Sequence, residues 1–276
     1  MTNVLQPIFL GVLQGLTEFL PISSSAHLRI TGSFFNTPVD PGATFTAITQ
    51  IGTELAVLIY FRKDIGRIIS AVLRFLIRRK VESDAKLGWF IALGSLPVFV
   101  LGFIGQDTIR STFRSLWLIA SVLIIFGLIL GYADKIGKST KTIESLKPRD
   151  AILYGFAQSL ALIPGVSRSG ATIAMGRLLG YERVAALRYS FLLALPAVFG
   201  SGLFELYKAL TDPSTPSTYS MPMTLLATVI AFLVGYAMIA WLLKFVATKS
   251  FAPFVIYRVL LGALVIALLS SGVISA

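Results

Sequence analysis

Apolar residues in this chain come in long runs, and polar residues gather into short connections between them. The runs at 43–61, 87–105, 116–133, 189–208, 222–243 and 252–273 are each long enough to cross a bilayer, which takes roughly 20 residues of helix. They predict six spans. Two other regions are apolar but interrupted. The run 4–20 is stopped by Pro21 and followed by a short piece at 26–33, and 151–163 is followed by 171–180 after a break at Pro164-Gly165. Neither piece of either pair reaches across, so each pair predicts a re-entrant helical hairpin that enters and leaves by one face. The stretch 65–77 carries Arg67 and Arg74 among its apolar residues and runs into Arg78, Arg79 and Lys80. It predicts a helix lying in the interface.

The basic residues orient these elements. Eight Lys or Arg lie between Arg62 and Lys86, and Lys135, Lys138, Lys141, Lys147 and Arg149 come after the third span. Both connections are expected in the cytoplasm. The loop 106–115 has only Arg110 and Arg114, and 209–221 has no basic residue; these are expected outside, together with both chain termini. The two hairpins then enter from opposite leaflets. A weak internal repeat agrees with this: GVLQGLTEFLPISSSAH (11–27) aligns with GFAQSLALIPGVSRSGA (155–171). It pairs Gln14 with Gln158 and Leu16 with Leu160, and with one gap Pro21 with Pro164 and Ser24 with Ser167. The expected fold is all-α, a polytopic membrane protein of six transmembrane helices plus two re-entrant hairpins in an inverted repeat. It forms a single integral membrane domain over 1–276, with one half at 1–133, a connection at 134–150 and a second half at 151–276.

Composition supports the membrane reading. Of 276 residues, 55% are hydrophobic and 13% charged, about half the charged share of soluble domains. The net charge of +11 does not point to nucleic acid, because its Lys and Arg sit in short loops where bilayer orientation explains them. There is no cysteine, which excludes disulfides, thiol nucleophiles and Cys-based metal sites. The first apolar stretch lacks a basic leader and contains Glu18, which argues against a cleaved signal peptide.

The candidate chemistry lies at the two breaks. Glu18 is a carboxylate within an apolar helix, where an ionisable group is costly and by default functional. Gln14 lies one turn earlier on the same helix face, able to supply a neutral oxygen ligand or to pack through a hydrogen bond. His27 is the only imidazole of the chain and a candidate for proton transfer or nucleophilic attack near neutral pH. Ser23, Ser24 and Ser25 would cap the helix that starts near residue 26, and a helix N-terminus is also an anion site. In the second break Arg168 stands between Ser167 and Ser169, with Gly170 and Thr172 just beyond. Hydroxyls, backbone N–H groups and a planar guanidinium at one helix start make a phosphate cradle. Glu54 and Arg258 also fall inside spans, where pairing or support of the site is expected. Ser24 activated by Glu18 or His27, His27 itself, and a metal-bound water all fit as nucleophile.

The Gln14-to-Glu18 spacing, the continuation EFLPISSSAH and the stretch PGVSRSGAT together resemble the undecaprenyl-diphosphate phosphatases of bacteria, the bacitracin-resistance type. Similarity continues through Ile48 to Gly52, Tyr189 to Pro196 and Phe251 to Arg258. The resemblance implies an enzyme of the plasma (inner) membrane that hydrolyses undecaprenyl diphosphate to undecaprenyl phosphate and inorganic phosphate, recycling the lipid carrier for cell-wall synthesis. It also implies a divalent cation, Mg2+ or Ca2+, and functional roles for Gln14, Glu18, Ser24, His27, Ser167, Arg168, Ser169 and Thr172. Many members have Glu where this chain has Gln14, which removes a second metal-binding carboxylate. Ser25-Ala26 replaces the commoner Thr-Gly before the histidine. The rival expectation is a lipid-phosphate transporter or flippase on the same repeat, with membrane lipids as partners in either case and a homodimer as one assembly to test.

Overall fold

In a computed structural model, the structure describes residues 4–34, 41–105, 115–212 and 218–275. Among them it is all-helical, with eleven α-helices and a single isolated bridge between Lys141 and Tyr181. The helices are α1 (Leu5–Thr17), α2 (Ser24–Gly32), α3 (Gly42–Tyr60), α4 (Arg62–Arg78), α5 (Ser83–Ile104), α6 (Leu116–Ile136), α7 (Pro148–Ser159), α8 (Arg168–Leu178), α9 (Arg183–Thr211), α10 (Met221–Thr248) and α11 (Ala252–Ser270). Five of them, α5, α6, α9, α10 and α11, are long and apolar enough to cross a membrane. The pair α3 and α4, bent by 79° at their junction, makes a sixth candidate if it counts as one span. The outward faces of the long helices are apolar: on α5, Leu96, Val100, Leu101 and Ile104 are all exposed. Such surface is stable only against lipid. Of the two expected outer loops, 106–115 lies almost wholly outside the described residues and 209–221 partly so.

Both interrupted regions form short helices. The arms α1, α2, α7 and α8 have 13, 9, 12 and 11 residues, or roughly 14–20 Å of helix against a hydrocarbon core of about 30 Å. Each first arm packs on a long helix from the other half of the chain, α1 on α10 and α7 on α5. Small residues allow the approach. A Cβ on Gly11 would meet the Ala227 carbonyl oxygen at 2.6 Å, and one on Gly155 would fall closer still to the Gly94 oxygen. Gly155→Ala is therefore expected to force α7 away from α5 and lower the thermal midpoint in detergent, since overpacking against backbone costs about 1–3 kcal/mol or more. Gly66→Ala, in the interior of α4 where nothing lies within 4 Å, serves as the control and should raise the midpoint slightly, since Ala is the better helix former.

The bend at Phe61 turns α4 away from α3. On α4, Ile68 and Ala71 are buried, whereas Arg62, Lys63, Arg67, Arg74 and Arg78 are exposed or partly so. Ile69, Leu73, Leu76 and Ile77 are exposed as well, so α4 presents both basic and apolar surface outward, a mix that a helix lying in the interface would use. The helix is tied down at both ends, by Asp64 to Arg188 of α9 at 2.6 Å and by Arg74 to Glu82 before α5 at 2.6 Å. The Arg74 guanidinium, hydrogen-bonded to Glu82, holds that carboxyl down at about 2.

Asp134, at the end of α6, ties that helix to three later elements. It accepts from Arg177 of α8 and Arg183 of α9, and from the Phe251 amide ahead of α11.

Candidate active site

The two hairpin tips have one local design. The helix start of α2 is capped by Ser23 and that of α8 by Ser167, both at positive φ, 74° and 70°. Each hydroxyl accepts an N–H three residues on, from Ala26 and Gly170 respectively, as a capping serine does. Each also lies 3.2 Å from a second hydroxyl, Ser25 in one tip and Ser169 in the other. The repeat is therefore ungapped at the tips: Ser23 pairs with Ser167, Ser24 with Arg168 and Ser25 with Ser169. This differs from the gapped pairing expected from sequence, which aligned the prolines. The caps decide the register because a left-handed backbone at a non-glycine residue is costly and is held here by two hydroxyls and a helix start.

With that register, Ser24 and Arg168 are the first residues of facing helices, and they meet at Glu18. Glu18 Oε2 accepts from Gln14 Nε2 at 2.7 Å, from Ser24 Oγ at 2.5 Å and from Gln50 Nε2 at 3.4 Å. Its other oxygen, Oε1, accepts from Arg168 Nη2 at 3.0 Å. The same Nη2 lies 2.7 Å from Glu54 Oε1. The acid of one hairpin thus meets the guanidinium of the other, as expected, and Glu54 of α3 joins them as an ion-pair partner. Two carboxylates share one guanidinium in a site where Glu54 and Gln14 are 0% exposed.

This leaves an excess of negative charge and unmet hydrogen-bonding capacity. Arg168 Nη1, Glu54 Oε2 and Gln14 Oε1 have no hydrogen-bond partner. Buried polar atoms of this kind are ordinarily satisfied, which a ligand at the cluster would do. Hard oxygen donors beside an uncompensated carboxylate fit a divalent cation such as Mg2+ or Ca2+. No group of three or more His, Cys, Asp or Glu suited to a metal occurs among the described residues, so ligand oxygens would have to complete such a coordination shell.

A cavity of about 750 Å3 adjoins the cluster. Glu18, Ser24, Gln50 and Arg168 supply polar wall, and Val98, Phe99, Phe103, Leu162 and Phe204 supply apolar wall. Pro97 in α5 and Pro196 in α9 immediately precede wall residues on both helices. A proline removes a helix hydrogen bond and bends the axis, which opens space between spans. Arg29, Glu205 and Lys208 add further charged wall, so the cavity offers both polar and apolar surface to a bound molecule.

Not every candidate faces this cavity. Ser23, Ser25 and Ser167 line it. Ser169 instead donates to the Leu20 carbonyl of the first tip at 3.0 Å. Thr172 donates to the Arg168 carbonyl and lies 2.5 Å from the Ser190 hydroxyl. Gly170 packs on Arg258, whose Nη1 stands 2.9 Å from where a Cβ would sit. These three hold the second tip in shape. Gln14 does not line the cavity; its Nε2 is used by Glu18 and its Oε1 has no hydrogen-bond partner.

His27 is turned away. Its Nδ1 lies 2.7 Å from the Ser23 carbonyl oxygen, and its Nε2 lies 2.7 Å from Tyr257 Oη of α11. It does not line the cavity. A carbonyl can only accept, so Nδ1 carries the hydrogen and Nε2 accepts from the tyrosine. Sequence proximity to Glu18 grouped the imidazole with the acid; the direction in which α2 projects it separates them.

Arg258 has a role that its sequence position only hinted at. It is 0% exposed, and its hydrogen-bond partners are backbone carbonyls. Nη1 donates to Pro21 of the first tip at 3.0 Å, Nη2 to Gly165 of the second at 2.8 Å, both reach Val166, and Nε donates to Leu123 of α6. One guanidinium fork therefore fastens both tips together. Gln50 is a site residue that the motifs do not mark; its signal in the sequence is a polar amide within the apolar run 43–61, one turn before Glu54.

The chain was also compared with known proteins. The family model described as bacitracin resistance protein BacA matches residues 7–264. A protein of Micrococcus luteus named undecaprenyl-diphosphatase is 58% identical over 274 residues, covering 99% of each chain. One of Agrobacterium fabrum named undecaprenyl-diphosphatase 2 is 57% identical over 270 residues, 97% of this chain and 96% of its own length. A third, named undecaprenyl-diphosphatase, from Clavibacter michiganensis subsp. michiganensis, is 52% identical over 276 residues, 99% of this chain and 100% of its own. Likeness over the full length, in addition to the shared motifs, means that this chain belongs to the bacitracin resistance protein BacA family.

Proposed function

We propose that this protein is an undecaprenyl-diphosphate phosphatase, hydrolysing the lipid diphosphate to undecaprenyl phosphate and inorganic phosphate and so recycling the carrier for cell-wall synthesis. The observation that carries this is the meeting of Ser24 Oγ, Glu18 and Arg168 on the wall of a cavity that is otherwise largely apolar. Arg168 Nη1, which has no hydrogen-bond partner, binds the diphosphate, aided by the positive end of the α8 dipole. The prenyl tail lies along the apolar wall between α5 and α9.

Ser24 is the nucleophile in this reading. Its Oγ forms a bond to the terminal phosphorus as the bond from phosphorus to the bridging oxygen breaks, and its proton passes to Glu18 at 2.5 Å, the adjacent base that such a hydroxyl needs. The bridging oxygen leaves on the lipid phosphate. Glu18 passes that proton to the departing lipid phosphate and, ionised again, takes one from water as the water attacks the phosphoserine; returned to Ser24 Oγ as the serine leaves, that proton restores the site and inorganic phosphate is released. Glu18, Glu54 and Gln14 Oε1 would hold a divalent cation, Mg2+ or Ca2+, which supplies charge neutralisation for the diphosphate. Every proton is handled by Glu18. His27 positions the first tip by holding the Ser23 carbonyl.

The same proposal puts the protein in the plasma membrane with both termini outside, on the basic-residue rule, and, by family resemblance alone, the reaction toward the outer face. It treats the chain as one integral domain, its halves 1–133 and 151–276 joined by 134–150. The packing of α1 on α10 and of α7 on α5 supports that reading.

Phosphate release from undecaprenyl diphosphate by the purified protein in detergent tests it. Release is expected from the unmodified chain and not from Ser24→Ala. His27→Asn retains a donor for the Ser23 carbonyl; it should lower kcat less than Ser24→Ala does and leave the shape of the pH profile unaltered. Loss of an imidazole acting as base would remove a limb of that profile and cost roughly 10²–10⁴-fold. Absence of release from the unmodified chain would refute the assignment.

A further inference from the structure

Gln158 lies at the end of α7, on the cavity wall, and is 1% exposed. Neither its Nε2 nor its Oε1 has a hydrogen-bond partner. In the ungapped repeat it occupies the place that Gln14 holds in the first hairpin. The two amides differ in the residue one helical turn further along. Gln14 Nε2 is used by Glu18, four residues later. Four residues after Gln158 stands Leu162, so the second hairpin has no carboxylate there to take up the amide.

A buried primary amide with no partner is unfavourable for folding, because its donors and acceptor have left water without replacement. A leucine or methionine would fill the same helical position without that penalty. The amide therefore makes sense only if something else in the cavity satisfies it. Polar residues that share the cavity wall point to the chemistry: Arg168 and Ser167 come from the same hairpin, and Glu18 and Ser24 from the opposite one. A second cation at this position would pair with Glu18 or Glu54 and compete with Arg168. A neutral N–H donor adds a bond to an anionic oxygen without that competition.

We propose that Gln158 is a substrate-contacting residue, its Nε2 donating to a phosphate oxygen of the diphosphate held at Arg168. This rests on the phosphatase reading above. The two hairpins then divide their glutamines by role: Gln14 orients the carboxylate, and Gln158 binds the anion.

The test uses the full chain in detergent with two variants, Gln158→Leu and Gln158→Met, both able to fill the position. Binding is read with methylenediphosphonate, which resists hydrolysis, as a ligand-induced shift of the thermal midpoint. Turnover is read with undecaprenyl diphosphate. A hydrogen bond to a charged group is worth roughly a ten- to hundredfold change in affinity. Both variants are therefore expected to raise KM by about that factor and to reduce the methylenediphosphonate shift. Their midpoints without ligand should equal or exceed that of the unmodified chain, since an unsatisfied amide has gone. A purely structural glutamine would instead lower the ligand-free midpoint and leave KM in place, and that pattern overturns the proposal. Unchanged KM and unchanged shift in both variants overturn it as well, with the phosphatase assignment intact. If the unmodified chain itself releases no phosphate, the assignment beneath it is what fails.

Discussion

Arg168→Ala is expected to abolish phosphate release, with a fall of about three orders of magnitude or more in kcat/KM, and to lower the thermal midpoint of the ligand-free protein. Both effects come from one side chain. Arg168 Nη2 lies 3.0 Å from Glu18 and 2.7 Å from Glu54, so its removal leaves two buried carboxylates facing each other. Breaking a buried ion pair from one side costs about 3–5 kcal/mol. The catalytic loss comes from removing the group that meets the charge developing on phosphorus, an interaction worth roughly 10³–10⁵ where a single arginine supplies it. Arg168→Lys keeps the charge but presents a single ammonium in place of a fork. It can satisfy the carboxylates or the phosphate, not both, and should recover most of the midpoint and little of the rate. A lysine variant with wild-type kcat/KM would show that the fork is not what the reaction uses.

The second large effect is expected at Arg258, which touches neither Glu18 nor Ser24 yet holds the two tips in place. Arg258→Leu removes the donors for the carbonyls of Pro21, Gly165 and Val166 together. Unpaired buried carbonyls cost about 1–3 kcal/mol each. The midpoint should fall by more than for Gly155→Ala, and kcat should fall at saturating substrate. Arg258→Lys is expected to fail almost as badly, because carbonyls spread over two tips and α6 cannot be met from one nitrogen. Should Arg258→Lys match the unmodified chain in midpoint and kcat, the clasp is not needed and the tips are held by their serine caps and Ser169 alone.

The long apolar helices and the two broken helix pairs were legible in the sequence because hydropathy is a property of contiguous residues. A run of about 20 apolar residues has few stable alternatives to a crossing helix. A proline with a serine cluster close behind it stops a helix and starts another wherever it sits. The identity of Glu18 and Arg168 as partners was legible too, since a carboxylate and a guanidinium at membrane depth must be compensated and the repeat sends one from each hairpin. The repeat register reads with a one-residue gap in sequence because prolines are conspicuous; the left-handed serine caps that set it show only in the backbone.

His27, Gln50, Glu54, Gln158 and Arg258 mark the limit. Each is a polar residue in apolar surroundings, and its sequence neighbours do not say which helix it will face. Sequence order was enough to predict long apolar spans, two broken hairpins and an acid opposite a guanidinium. Only the packing of α3, α5, α9 and α11 around the tips decided that Glu54 joins Arg168, that His27 faces Tyr257, that Arg258 clasps both hairpins and that Gln158 is left without a partner beside the cavity. The physical reason is that helix formation and burial depend on the nearest few residues, whereas the partner of a buried polar group depends on which small residues let distant helices approach.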